Sequence, residues 1–361
     1  MIRLYEYNLP FKEPLTTGSA HYIKRTGLII RYTGSECDTV SEISPLPPFS
    51  SESIPEIIIG LKSSKKDLED FLKRDYTLDE LNQFIKNFTG ISSLRYGLSW
   101  LGATLFDSRN KGTINSFFNS IPGRTVLVND LIGSTEPDLL REKLLNSIES
   151  GFRTIKIKCL TPNQDTAEAI RSVTTLHSEI KIRLDANLSW NSDSVELFNA
   201  HYHDLPIEYI EEPFQSGENG NRKLFKAPIA KDESIRNLET LSNLLSTDNN
   251  LFLVIKPMVF GTVFDLAETI STHRSMKRMI VISNLLESAV GRSYNLRFAS
   301  HFGDPELAHG LNTGKYFKWD LMNEMPLDHG MIHTDQRLFQ PIVFNQLKSD
   351  YLMEIDLANA D

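Results

Sequence analysis

Cysteine is nearly absent: Cys37 and Cys159 are the two among 361 residues. Two thiols make no disulfide framework and point to a reducing compartment. Excess basic charge is missing as well. Lys and Arg number 38 against 47 Asp and Glu, a formal net charge of −9. Without a basic footprint, nucleic acid is not an expected partner. No apolar run reaches the length of a spanning helix, which argues against a membrane partner. The opening Met1-Ile-Arg-Leu-Tyr-Glu-Tyr7 is mixed and charged, unlike a signal peptide. A soluble, cytoplasmic protein is the expectation. Glycine-rich phosphate loops of either standard pattern, short repeats and low-complexity tracts are also lacking.

What is there is an apolar fraction of 40%, enough over this length for a large core and two domains. The informative part is the middle third. Five stretches begin apolar and β-branched and end in charge: Thr154-Ile-Lys-Ile-Lys158, Arg183-Leu-Asp-Ala-Asn187, Tyr209-Ile-Glu-Glu-Pro213, Ala230-Lys-Asp-Glu-Ser234 and Val254-Ile-Lys-Pro257. Their charges at 158, 185, 211, 232 and 256 recur at intervals of 21 to 27 residues. A strand, a turn, a helix and a second turn need about that much chain. Each unit then delivers a charge to the carboxyl end of a strand, the active-site face of a parallel β/α barrel.

Around this core the pattern predicts two further parts. Strands over 1–9, 26–33 and 39–43, then helices over 52–62, 65–73, 78–88 and 93–108, make an α+β module of residues 1–122. Ser50 or Ser51 is placed to cap the first helix, and Leu9 to Gly18 reads as irregular because of its proline and glycine. Pro122-Gly123 marks the boundary to a barrel of residues 123–314. Its strands are expected near 126–129, 154–158, 180–185, 207–211, 227–232, 251–256 and 279–283, with a weak eighth near 305–310. A helix over 136–151 ends at a C′ glycine, and others follow near 163–177, 191–203, 235–246, 262–273 and 284–303. Residues 315–361 carry no β/α unit and are expected to return to the first module.

Asp185, Glu211 and Asp232 stand at three consecutive strand ends. Each alone reads as a solvated or helix-capping acid, but three convergent carboxylates require a cation. Oxygen donors favour Mg2+, with Mn2+ as the alternative. Lys156 and Lys158 share one face of their strand. On the outer face they would leave Ile155 and Ile157 at the barrel mouth, so they point inward. Two ammonium groups close together, with a cation nearby, each disfavour the charged state, which suits Lys158 as a general base. Lys256, which alone would pass for a solvated turn lysine, lies opposite. Arg183 and Asn187 flank Asp185 on its face and are candidates for binding a substrate anion, with an internal salt bridge as the bland reading of Arg183. Glu212 and Glu233 point away from their neighbours and read as supporting or helix-capping groups. Cys159 reads as packing, and His201 with His203 as surface.

In order, these motifs are K-x-K, D-x-N, E-E-P, D-E-S and a lysine on the sixth strand, and in them the chain resembles the enolase superfamily, in its muconate-cycloisomerase-like branch. Flanking stretches are similar to the o-succinylbenzoate synthases within that branch: Pro45 to Glu52, Leu94 to Leu98, Val128-Asn129, Asn284 to Gly291 with Glu287-Ser288, and His309 to Gly314. Departures are Thr39-Val-Ser-Glu42 where the family often has Gly-Trp-Gly-Glu, Asp130 where glycine is common, and Cys159 after K-x-K. The resemblance implies a modified TIM barrel, (β/α)7β, under an α+β cap built from both chain ends. It implies metal ligands at Asp185, Glu211 and Asp232, an acid/base at Lys158, its opposite at Lys256, and Lys156 holding down the pKa of Lys158. Ser283 and Glu287 join Arg183 and Asn187 as candidate contacts of a small carboxylate substrate. The implied reaction is the Mg2+-dependent dehydration of 2-succinyl-6-hydroxy-2,4-cyclohexadiene-1-carboxylate to 2-succinylbenzoate in menaquinone biosynthesis. Dipeptide epimerase, N-acylamino-acid racemase and cycloisomerase chemistries share the scaffold. A carboxylate-binding barrel without turnover and a Schiff-base lyase using Lys256 are the rivals from other classes. The oligomeric state is left open, a homo-oligomer included.

Overall fold

The computed structural model describes residues 1–361 except 18–19, 36, 48, 111–123, 134–135, 216–225, 248–250, 274–278, 325 and 359–361. The expected boundary at 122–123 lies outside the described residues. The chain opens with a long hairpin, β1 (Ile2–Thr17) and β2 (Ala20–Thr33), followed by β3 (Asp38–Ile43). The stretch expected to be irregular is strand through Thr17, and its prolines are absorbed as a register shift between Pro10 and Leu15. A residue without an N–H is tolerated where the ladder is already broken.

Three helices follow: α1 (Ile54–Lys73), α2 (Leu78–Phe88) and α3 (Ser92–Arg109). Contrary to expectation α1 is continuous and is capped by Ser53, which forms a capping box with Glu56. Ser50 instead closes a turn, its hydroxyl accepting from Leu46 N at 3.0 Å. Buried α3 lies so close to β3 that a Cβ on Gly97 would come within 2.9 Å of the Glu42 carbonyl.

The next strand, β4 (Thr125–Leu127), overlaps the segment expected to start the barrel but pairs antiparallel with β12 (Met331–His333). The first parallel strand is instead β5 (Asp130–Ile132), followed by α4 (Pro137–Glu149), which ends beside Gly151 at φ +90°. The alternation continues through β6 (Thr154–Lys158), α5 (Gln164–Thr174), β7 (Lys181–Asp185), α6 (Ser192–His201), β8 (Ile207–Glu211) and β9 (Ile229–Lys231). It ends with α7 (Leu238–Thr247), β10 (Leu251–Ile255), α8 (Val263–Thr272), β11 (Met279–Ile282) and α9 (Ala289–Phe302). Strands β5 to β11 form one seven-stranded parallel sheet in chain order. Its two edges meet through His309 and Gly310, which bridge in parallel to Val128 and Ser283. The eighth strand is thus reduced to two bridges. The fold is a modified (β/α)7β barrel with an α+β cap.

Near the other end of the chain, β13 (Leu352–Ile355) adds to the edge of the cap sheet beside β1. Among the described residues no helix is long and apolar enough to cross a membrane.

Candidate active site

Parallel register stacks the inward side chains in layers. Lys156 pairs with Arg183 and Arg183 with Tyr209; one layer nearer the strand ends, Lys158 pairs with Asp185 and Asp185 with Glu211. The lower layer is sealed at Arg183. Arg183 is fully buried, with Nε 2.6 Å from Glu208, Nη1 donating to Asn129 and Ala308, and its guanidinium 4.7 Å above the Tyr209 ring. The salt bridge holds Arg183 beneath the cavity, so the expectation that it contacts substrate is not met.

The upper layer holds Asp185 and Glu211, which Lys156 reaches from the layer below. Lys156 Nζ lies 2.9 Å from Asp185 and 2.6 Å from Glu211, while Lys256 Nζ lies 2.5 Å from Asp232. Glu211 is fully buried, and among the described residues its Oε2 has no hydrogen-bond donor against it. Burial, with Asp185 and Asp232 nearby, drives its carboxyl well up despite Lys156. Asp232 goes down, because Lys256 and Lys156 outweigh its burial. Among the described residues no three acids, histidines or cysteines stand in cation-binding geometry; the carboxylates turn to the two lysines. The donor set still suits a hard divalent cation in its chemistry, since it offers three buried acids at neighbouring strand ends and one Glu211 oxygen unsatisfied among the described residues.

The three lysines differ. Burial lowers the Lys158 ammonium, and Lys156 and Lys256 add to this against Asp185. Burial also acts on Lys156 and Lys256, but their carboxylate partners reverse it and hold both above the ordinary value. The expectation that crowding lowers both members of the K-x-K pair is corrected for Lys156, whose two acids outweigh its like-charged neighbours.

Turns after the strands place the remaining groups. Asn187, Leu188, Glu212 and Leu286 all take positive φ values, from 38° to 62°, strain that tends to collect at functional sites. Glu212 accepts from the N–H groups of Asp232 at 2.8 Å and Ser234 at 3.0 Å, so it fixes the turn that presents Asp232. Glu233 accepts from Asn187 at 2.9 Å and is pushed up to about 7 by burial and Asp232.

Lys156, Lys158, Asp185, Asn187, Asp232 and Lys256 open onto a cavity of about 220 Å3. Ser283 lines it as well, but Glu287 does not. That side chain is buried, accepts from Leu285 N at 2.5 Å and lies beside Glu42, so its expected contact with substrate is not met. Leu15, Leu46, Phe49, Leu285 and Leu286 make an apolar part of the wall, and Asn129, Asn312, Thr313 and Tyr316 contribute polar groups. Asn312, Thr313 and Tyr316 were missed as site residues. The first two fall in the flanking stretch already quoted, whereas Tyr316 follows the barrel with no motif to mark it. The cap is fastened over the cavity by Arg25, which donates to the carbonyls of Ser44, Pro45 and Leu286.

Comparison with known proteins agrees with this architecture. Residues 140–337 match the family described as Enolase C-terminal domain-like, and residues 1–100 match the one described as MenC, N-terminal domain. A curated o-succinylbenzoate synthase from Aliivibrio fischeri (strain MJ11) is 25% identical over 333 residues, 90% of this chain and 93% of its own. Among solved structures, a probable mandelate racemase from Alicyclobacillus acidocaldarius superposes with a TM-score of 0.79 at 19% identity, covering 100% of this chain and 98% of that one. A dipeptide epimerase from Methylococcus capsulatus complexed with Mg ion superposes at 0.75 with 18% identity, covering 92% and 96%.

Proposed function

Because the chain belongs to the enolase superfamily, we propose that it is an o-succinylbenzoate synthase, dehydrating 2-succinyl-6-hydroxy-2,4-cyclohexadiene-1-carboxylate to 2-succinylbenzoate. The carrying observation is the contrast between two lysines on opposite sides of one cavity. Lys158 ends the second strand and is held low; Lys256 follows the sixth and is held high. One is suited to take a proton, the other to remain an ammonium.

Lys158 Nζ, uncharged, removes the proton α to the ring carboxylate. The electron pair moves into the carboxylate to give an enediolate, and the Lys256 ammonium faces the charge that develops. Lys158, now an ammonium, returns the proton to the departing hydroxyl on the same face. The C–O bond breaks, water leaves and the new double bond completes the aromatic ring. Lys156 keeps its charge and adds to the pressure on Lys158 to lose its own. A divalent cation at Asp185, Glu211 and Asp232, Mg2+ by its preference for hard oxygen donors, would supply positive charge to the carboxylate end of the substrate. The apolar wall suits a hydrocarbon ring. Asn187, Ser283, Asn312 and Thr313 are among the polar groups that line the cavity for the remainder.

The curated relative supports this reading across most of the chain. The structural likeness to a dipeptide epimerase keeps one rival in view, with Lys158 and Lys256 as opposed bases. Among the described lining residues the acids are Asp185 and Asp232, which leaves a substrate ammonium without a carboxylate of its own. The deciding experiment follows loss of the diene absorbance with Mg2+ and with chelator. Rapid, Mg2+-dependent loss that disappears in Lys158→Ala supports the synthase. Exchange of an α-proton in L-Ala-L-Glu, with the diene untouched, supports the epimerase.

A further inference from the structure

We propose that Phe49 is a positioning residue for Lys256, holding its ammonium over the cavity by the face of the ring; this rests on the reading of Lys256 as the charge-stabilising group. Phe49 belongs to neither helix nor strand and comes from the cap, whereas Lys256 comes from the barrel. The segment that carries it is built to place it. Ser50 N donates to the Leu46 carbonyl at 2.9 Å, and Leu46 N donates to the Ser50 hydroxyl at 3.0 Å, closing a tight turn. Arg25 anchors the start of that turn through the Ser44 and Pro45 carbonyls, and Tyr22 reaches the Pro47 carbonyl. The half-buried ring is thus delivered with its centroid 3.7 Å from Lys256 Nζ.

The other partner of this ammonium is Asp232, at 2.5 Å. The two partners differ in kind. Asp232 is one of the three acids suited to a cation, and a cation there competes with Lys256 for it. The ring face is no ligand for a hard divalent cation. Its quadrupole attracts an ammonium most strongly where water is excluded. A lysine has a flexible four-carbon stem and would otherwise range over several positions. The position of the cap segment and the aim of Lys256 are therefore coupled.

The test uses the full chain labelled with 13C at lysine. In the wild type the Lys256 ε-methylene signal, identified by its loss in Lys256→Met, lies upfield of the other lysines because the ring shields it. Phe49→Leu keeps an apolar side chain without a π face. It should return that signal to the common lysine position and lower kcat about tenfold, about 1.4 kcal/mol of barrier, with a smaller change in KM. Phe49→Tyr and Phe49→Trp should keep the upfield signal and hold kcat above that of Phe49→Leu. An upfield signal that survives Phe49→Leu overturns the proposal, as does a kcat that follows side-chain volume rather than the presence of a ring. If the wild type leaves the cyclohexadiene carboxylate unchanged, the synthase reading fails, and the Lys256 signal alone upholds or overturns the positioning.

Discussion

Lys156 and Glu211 form an ion pair 2.6 Å long inside the barrel, and among the described residues no group donates to the second oxygen of Glu211. The lysine thus neutralises acids that a cation would otherwise hold. Lys156→Met should destabilise the Mg2+-free protein by about 3 kcal/mol, because it strands buried carboxylates. Added Mg2+ should recover most of the loss by binding the native state alone. Denaturant unfolding of the variant with and without Mg2+ measures both. A recovery no larger than that of Asp232→Asn would count against a cation at these acids.

Lys158→Ala and Asp232→Asn should fail differently. The first abolishes turnover and leaves the Mg2+ dissociation constant nearly unchanged. The second weakens Mg2+ binding. Titration calorimetry beside the diene assay separates the two, and a normal rate in Lys158→Ala would refute the base. On the proposed mechanism Lys158 acts uncharged; because it is held below its ordinary value, kcat/KM should rise with pH as it loses its proton.

His309, in the barrel-closing segment, is buried and held down to about 3, chiefly by burial and then by Arg183. Its Nδ1 accepts from Ile282 N at 3.1 Å. The folded value lies below the unfolded 6.5. The unfolded chain therefore binds the extra proton first, and the contribution of His309 to stability is complete above about 6.5 and lost as pH falls toward 3. Unfolding free energies measured from pH 7 to 4 should fall more steeply for the wild type than for His309→Gln. In the cation-free protein Glu233, pushed up to about 7, works in the opposite direction and loses stability as pH rises through that value.

Glu42 joins cap to barrel. Fully buried, it accepts from Tyr7 OH at 2.5 Å, Ser288 N at 3.0 Å and Gly291 N at 2.8 Å, at the first turn of α9. Glu42→Ala leaves these donors unpaired and takes a negative charge from a helix N-terminus, which should cost about 3 kcal/mol in chemical denaturation. A change below about 0.5 kcal/mol, the ordinary range for a surface substitution, would show that the contact does not bear on stability.

Much of the barrel was legible because alternation and strand-end charge are local. A period of two puts Lys156 and Lys158 on one face whatever the rest of the chain does. The first strand was misplaced because β4 pairs with residues 331–333, and no local pattern reports a partner about two hundred positions away. Ser53 rather than Ser50 caps α1 because Glu56 completes its capping box, while the Ser50 hydroxyl is used within the turn.

Local pattern was enough to give the type of each charged group and the strand end that carries it: Lys158, Asp185, Glu211, Asp232 and Lys256, in that order. What each group meets depends on the folded chain. Arg183 is closed off by Glu208, Glu287 is buried beside Glu42, Lys156 is held up by two acids and Lys256 lies under a ring from the cap. Charge and periodicity are properties of a short stretch of chain. Burial and pairing depend on distances between side chains far apart in sequence, and those distances exist only once the barrel has closed and the cap is seated upon it.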